Sequence, residues 1–286
     1  MKHNQGNFSG VGEVDLYYQS WHPDGETLAI VAIVHGLGAH SGIFGNLVEF
    51  LSDRGNAVYS FDLRGHGHSS GQRGYINSWS EFREDVRAFL QLIDTKEQNL
   101  PLFLLGQSLG GTIALDYALH YCDRLQGLIL LSPALKVGIS PIKSILGRIF
   151  SRFIPHFTLD TGFDLAAGSR DPQVVAAYAQ DSLRHTKGTA RLATQFLQTV
   201  TWIEVNAAML EVPLLILHGG ADRVTLPESS RHLFEIITLT DKEIREYPES
   251  YHELHNDLNY QDVFADLENW LEKHLNERIK AKSSCS

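Results

Sequence analysis

The stretch Leu102-Phe-Leu-Leu-Gly-Gln-Ser-Leu-Gly-Gly-Thr112 constrains this chain more than any other. An apolar run of strand length ends in Gly106-Gln107-Ser108-Leu109-Gly110, and a helical pattern starts directly after it. This is the G-x-S-x-G elbow, set between a strand and a helix. A serine in so sharp a turn needs neighbours without bulky side chains, so glycines stand two positions to either side. The turn lifts the hydroxyl clear of the sheet, and the helix N-terminus beneath favours negative charge developing there. A glycine-rich turn of purely structural meaning would read the same way, so the rest of the chain has to decide.

Strands and helices alternate on both sides of the elbow. Residues 8–22 read as a hairpin carrying Val11, Val14, Leu16, Tyr17, Tyr18 and Trp21. Leu28–His35 is a β-branched run suited to a strand covered on both faces, and it stops at His35-Gly-Leu-Gly38. Ile43, Phe44, Leu47, Val48 and Leu51 keep helical spacing up to Gly55, and Ala57–Asp62 is a further strand ending in the loop 64–71. Ser78 and Glu81 predict a capping box for a helix whose buried face is Phe82, Val86, Phe89, Leu90 and Ile93. Leu125–Leu131 is the sixth strand. From 138 to 207 only helical patterns occur: a stripe of Ile142, Ile145, Leu146, Ile149, Phe150 and Phe153, a helix opened by Asp171-Pro172, and one marked by Leu192, Phe196, Val200 and Ile203. Strand 212–218, helix 227–237, strand 243–247 and helix 260–276 complete the alternation. The pattern predicts an α/β chain with a mostly parallel, doubly wound sheet and a helical cap inserted after the sixth strand. Residues 1–137 and 208–286 form its core domain, with the cap at 138–207.

Composition narrows the function. A net charge of −10 argues against a nucleic-acid partner. Two cysteines, Cys122 and Cys285, make no disulfide framework, and the polar N-terminus lacks an apolar signal core. These features predict a cytoplasmic protein.

A serine nucleophile needs a base, and the base needs an acid to orient it. Downstream of Ser108, strand 213–217 runs into His218-Gly-Gly-Ala-Asp-Arg-Val224, which puts Asp222 at the carboxyl edge where open parallel sheets carry their sites. Pro248–Asp257 follows the last short strand and offers His252 and His255. His252 comes first in the loop and is the better base; His255 is expected at the start of the next helix. The backbone N–H groups of Leu109 and Leu37 are the candidate oxyanion donors. The loop 64–71 reads as a structural turn, having neither a P-loop ending nor histidines at metal-ligand spacing, so no cofactor and no metal are expected.

With these residues in hand, the chain resembles the monoacylglycerol lipase and lysophospholipase branch of the α/β-hydrolases. The motifs are His35–Gly42, Asp62–Ser69, Gly106–Gly111, Gly219–Arg223 and Tyr251–His255, in that order along residues 10–276. The resemblance implies an α/β-hydrolase fold and hydrolysis of long-chain acyl esters through an acyl-enzyme, without a cofactor. It implies Ser108, Asp222 and His252 as the triad and an acyl-ester lipid as the substrate. Separately, the stripe 142–153, with Lys143, Arg148 and Arg152 between its apolar positions, reads either as an interfacial helix giving the cap peripheral membrane contact or as a roof packed over the acyl pocket. Gln107 stands where many relatives carry histidine, and Asp181-Ser182-Leu183 lacks a proline often found there. Thioester hydrolysis and serine aminopeptidase activity are the rival reactions; Asp160, Asp164 and Asp181 are the carboxylates that could hold a substrate amine. A non-catalytic homologue would have lost part of the triad, and all three positions are filled.

Overall fold

The computed structural model describes residues 1–135, 148–162 and 164–284. Eight strands make one sheet: β1 (Lys2–Ser9), β2 (Asp15–His22), β3 (Ala29–Val34), β4 (Asn56–Phe61), β5 (Leu102–Gln107), β6 (Gly127–Leu131), β9 (Leu214–Gly219) and β10 (Lys242–Tyr247). Their order across the sheet is β1-β2-β4-β3-β5-β6-β9-β10. The pairs from β4 to β10 are parallel, while β1, β2 and β4 pair antiparallel. The α/β fold with its mostly parallel sheet is as the alternation predicts.

Each central strand is buried on both faces, so its side chains feed two cores. Ile30, Ala32 and Val34 pack with helices α2 (Ser80–Lys96) and α3 (Leu109–His120). Val31 and Ile33 face α1 (Gly45–Ser52) and α7 (Tyr260–Ser284), where Leu47, Leu51, Phe264 and Trp270 meet them. The edge differs. β1 starts at Lys2, so the hairpin begins well before residue 8. Its Gln5 and Asn7 bond across to Tyr17 and Asp15 at 2.7 and 2.6 Å, and His3 stacks on Trp21. A solvated edge strand held by cross-strand polar pairs has no apolar alternation to announce it.

Helix α2 also begins later than its sequence suggests, at Ser80, and the capping box does not form. Glu81 accepts the Asn77 N–H at 2.9 Å and lies 3.1 Å from Arg64, while the Ser78 hydroxyl pairs with Ser80. Arg64 draws the glutamate away from the serine. The same arginine clasps Asp85 with two hydrogen bonds, at 2.7 and 2.8 Å, and Asp85 also takes the Val11 N–H. This makes the loop 64–71 a structural junction between the hairpin turn and α2. Removing one partner of so buried a pair costs roughly 3–5 kcal/mol, because the other charge is stranded.

Strands β6 and β9 are neighbours in the sheet, yet the cap lies between them in sequence. The cap holds a helical turn at 148–153, α4 (Pro172–Gln180, capped by the Asp171 side chain) and α5 (Ala190–Asn206). It also contains strands, which the helical patterns did not suggest. β7 (Thr158–Asp160) and β8 (Lys187–Thr189) pair as a short antiparallel ribbon. Three residues per strand are too few to show a period of two. Of the predicted stripe, Ile142, Ile145 and Leu146 lie outside the described residues. Helix α6 (Pro227–Ile236) follows β9. Among the described residues no helix is long and apolar enough to cross a membrane.

Candidate active site

Ser108 sits between β5 and α3 with φ 55° and ψ −120°, a left-handed conformation that costs a non-glycine residue roughly 1–3 kcal/mol. The glycines around it explain how the strain is tolerated. A Cβ on Gly106 would come within 2.3 Å of the Gly110 carbonyl oxygen, and one on Gly110 within 2.1 Å of the Val34 oxygen. Strand and helix can approach this closely only without those side chains.

Asp222 stands in the loop after β9, with a fully buried side chain. Its Oδ1 accepts the N–H groups of Val224 and Thr225 at 2.7 and 3.0 Å. Its Oδ2 lies 2.7 Å from His252 Nδ1 and 2.8 Å from the Thr225 hydroxyl. Burial alone would raise the carboxyl's pKa; His252, His218 and the Thr225 backbone together hold it well below the usual range. A carboxylate only accepts, so the imidazole proton lies on Nδ1 and the Nε2 lone pair faces the cavity. There the Gln107 side-chain amide approaches Nε2 at 3.2 Å, as its donor.

Ser108, His252 and Leu37 line one cavity of about 60 Å³, together with Gln107, Arg184 and Glu253. A larger cavity of about 740 Å³ between α5 and α6 includes Leu135 but not Ser108. The candidate active site is the smaller one, because Ser108 and His252 both line it. The glycine loop 35–38 presses against the elbow: a Cβ on Gly36 would stand 3.0 Å from the Ser108 Cβ. The backbone N–H groups of Leu37 and Leu109 take no hydrogen-bond partner among the described residues, so both are free to serve an oxyanion.

His255 is placed differently from its expectation. It lies in a 3-10 turn, Leu254–Asn256, ahead of α7, with its ring against Phe44. Neither ring nitrogen has a hydrogen-bond partner among the described residues, although Nε2 lies 3.9 Å from Glu253, and burial lowers the ring's pKa to about 4. Of the three cap carboxylates, Asp164 reaches the cavity wall, Asp181 is held by His40 Nε2 at 2.8 Å, and Asp160 is exposed beside Thr186 and Lys187. Sequence reasoning did not find Thr225, His218 or the contact of Gln107 with His252. A histidine closing a buried strand was a visible signal for His218; side-chain reach across loops left none for the others.

The cap meets the site by main-chain bonds. His185 N–H donates to the Gly38 carbonyl at 2.9 Å, and Glu253 N–H to the Gly168 carbonyl at 2.8 Å. The His40 Nδ1 accepts the Gly42 N–H, which leaves its Nε2 hydrogen for Asp181.

A family model described as serine aminopeptidase, S33 (Hydrolase_4), matches residues 25–259. The chain is 33% identical to the monoacylglycerol lipase of Mycolicibacterium smegmatis over 94% of its own length and 97% of that protein's. It is 31% identical to the monoglyceride lipase of Homo sapiens, over 90% and 86%. Among solved structures, the monoacylglycerol lipase of Paleococcus ferrophilus aligns with a TM-score of 0.82 and 33% identity, over 91% of this chain and 99% of that one. By fold and by sequence, then, the chain belongs to the Hydrolase_4 (serine aminopeptidase, S33) family of α/β-hydrolases.

Proposed function

We propose that the chain is a serine hydrolase of carboxylic esters, acting on acyl lipids of the monoacylglycerol or lysophospholipid type through an acyl-enzyme. The observation that carries this reading is the buried 2.7 Å bond from His252 to Asp222, opening onto the cavity that Ser108 lines. Ser108 Oγ attacks the ester carbonyl carbon as His252 Nε2 takes its proton. Asp222 fixes the tautomer and stabilises the imidazolium. The N–H groups of Leu37 and Leu109 bind the tetrahedral oxyanion. His252 then delivers its proton to the departing alcohol, and water repeats the sequence on the acyl-enzyme. The Gln107 amide yields Nε2 to the serine hydroxyl as substrate seats. Relatives named as monoacylglycerol lipases, matched along nearly the whole chain, support the lipid substrate.

The test is labelling with a serine-directed fluorophosphonate, followed by hydrolysis of monoacylglycerols, lysophospholipids, acyl thioesters and aminoacyl amides. Labelling of Ser108 with turnover of the lipid esters is expected. Labelling with turnover confined to amides or thioesters would replace the reading with one of its rivals.

We also propose a cytoplasmic enzyme that touches lipid through its cap. Ile149, Phe150, Phe153 and Ile154 are all exposed, Phe153 by 74%, while Ser151 faces inward. Arg148 and Arg152 sit among them, as on interfacial helices. Each large apolar side chain buried in lipid contributes roughly 1.5–3 kcal/mol. Phe150→Glu combined with Phe153→Glu should lower turnover of vesicle-bound monoacylglycerol several-fold, with the rate on a short soluble ester and the melting temperature kept. Equal loss on both substrates would show that these side chains serve the fold or the pocket instead.

A further inference from the structure

Arg184 is a buried cation in the wall of the Ser108 cavity, and no step of the proposed reaction uses it. Its side chain is only 10% exposed. Nη2 donates to Glu253 Oε1 at 2.6 Å, and the guanidinium lies 3.8 Å above the centre of the Tyr178 ring. Glu253 accepts the Tyr178 hydroxyl with its other oxygen, so carboxylate and ring clamp the guanidinium in place. The remaining nitrogens, Nε and Nη1, are buried without a hydrogen-bond partner among the described residues. A buried, charged N–H without an acceptor is costly, and so rigid a donor pair is suited to a ligand oxygen.

Arginine offers donors only, so the missing partner is an acceptor. Position says which part of the substrate supplies it. His252 must reach the leaving oxygen, Glu253 follows His252 in the chain, and Arg184 is fastened to Glu253. This wall therefore faces the alcohol portion. Charge says which chemistry fits. Two carboxyl groups, Asp164 and Glu253, share the wall with the one guanidinium. Burial would raise the Glu253 pKa, yet Arg184 keeps it below the usual range. A phosphate entering here meets more negative than positive charge, and a free amine meets a buried guanidinium. A neutral hydroxyl avoids both penalties.

We propose that Arg184 is a head-group residue: its Nε and Nη1 hydrogens bind hydroxyl oxygens of the substrate's alcohol portion, selecting esters of neutral polyols over alkyl esters and phosphate-bearing lipids. The assignment rests on the ester-hydrolase reading above.

The experiment compares kcat/KM of the full chain on 1-decanoylglycerol, methyl decanoate and 1-decanoylglycerol 3-phosphate. Wild type should prefer the glycerol ester. Arg184→Met should lower the glycerol-to-methyl ratio roughly 10- to 100-fold, the range expected for losing hydrogen bonds from a charged group. Arg184→Lys keeps a cation beside Glu253 and with it the fold, yet lacks the planar fork, so the ratio should fall here too. If Arg184→Met does not fold, the lysine variant decides. An unchanged ratio in the folded variants overturns the assignment. A wild type that prefers the phosphate ester, and loses that preference with Arg184, overturns the neutral head group in favour of an anion site. Activity on methyl decanoate with no gain for the glycerol ester sinks the assignment alone; inactivity on all three esters sinks the hydrolase reading, and this with it.

Discussion

Ser108→Ala and His252→Ala should each reduce kcat on a soluble acyl ester by about 10⁴-fold or more, because the proposed nucleophile and base act as one unit. Losing either leaves only the oxyanion donors and substrate binding, so the double variant should be hardly worse than the single ones. Asp222→Asn should also be severe. An amide at 222 can donate toward His252 Nδ1 and favour the tautomer with its proton on Nε2, where the lone pair is needed. His255→Leu is the control. Its ring touches Phe44 and neither nitrogen has a hydrogen-bond partner among the described residues, so leucine keeps the packing and removes two polar atoms that make no hydrogen bond. Steady-state kinetics on the five variants would settle the assignment. An inactive, folded His255→Leu beside an active His252→Ala would reverse the roles of the two histidines.

The second large effect is on stability in acid. Burial lowers the pKa of His35 to about 3 and that of His255 to about 4, and pushes His66 well below the ordinary histidine value. Above pH 6.5 these rings are neutral whether the chain is folded or not, and their contribution is fully present. Between about pH 6.5 and 4 the unfolded chain takes up protons that the folded one refuses, so stability falls as pH falls. A tenfold difference in proton affinity between the two states corresponds to about 1.4 kcal/mol, so by pH 4.5 the losses from His35 and His255 are each on the order of 2–3 kcal/mol, and His66 acts in the same direction. His35 and His255 together already approach the lower end of the roughly 5–15 kcal/mol that holds a typical domain together. Urea unfolding at pH 7.5, 5.5 and 4.5 should show most of the stability gone at the lowest value. His255→Leu should flatten part of that slope. A stability constant from pH 7.5 to 4.5 would mean that these rings accept protons in place.

Much of this was legible in advance, for identifiable reasons. Strands β3, β5, β6 and β9 are covered on both faces, so each is an unbroken apolar run, and the glycines at 106 and 110 mark the contact that only glycine permits. Asp222 and His252 stood out as candidates because both follow strands at the sheet's carboxyl edge, and the fold brings the two side chains together. What stayed hidden has no periodic signature. The edge strand β1 is held by backbone pairing and polar side chains, and the β7–β8 ribbon is too short to alternate. Ser78 and Glu81 have the spacing of a capping box, but Arg64, distant in sequence, competes for the glutamate. Arg184 is one more cation in a polar stretch until the fold buries it beside Glu253.

The main-chain bonds from the cap limit how such an enzyme can be altered. His185 holds the loop that carries Leu37, and Gly168 holds the residue after His252, so the cap is spliced into both halves of the proposed catalytic apparatus. The chain is therefore not modular at this seam. A cap transplanted whole from a relative would arrive with its own geometry at both seams and would shift the oxyanion donors against the base. Changes to the cap's inner wall, one side chain at a time, leave those bonds untouched. New substrate ranges should accordingly be reached more readily by point substitution in the cap's inner wall than by exchange of the whole cap.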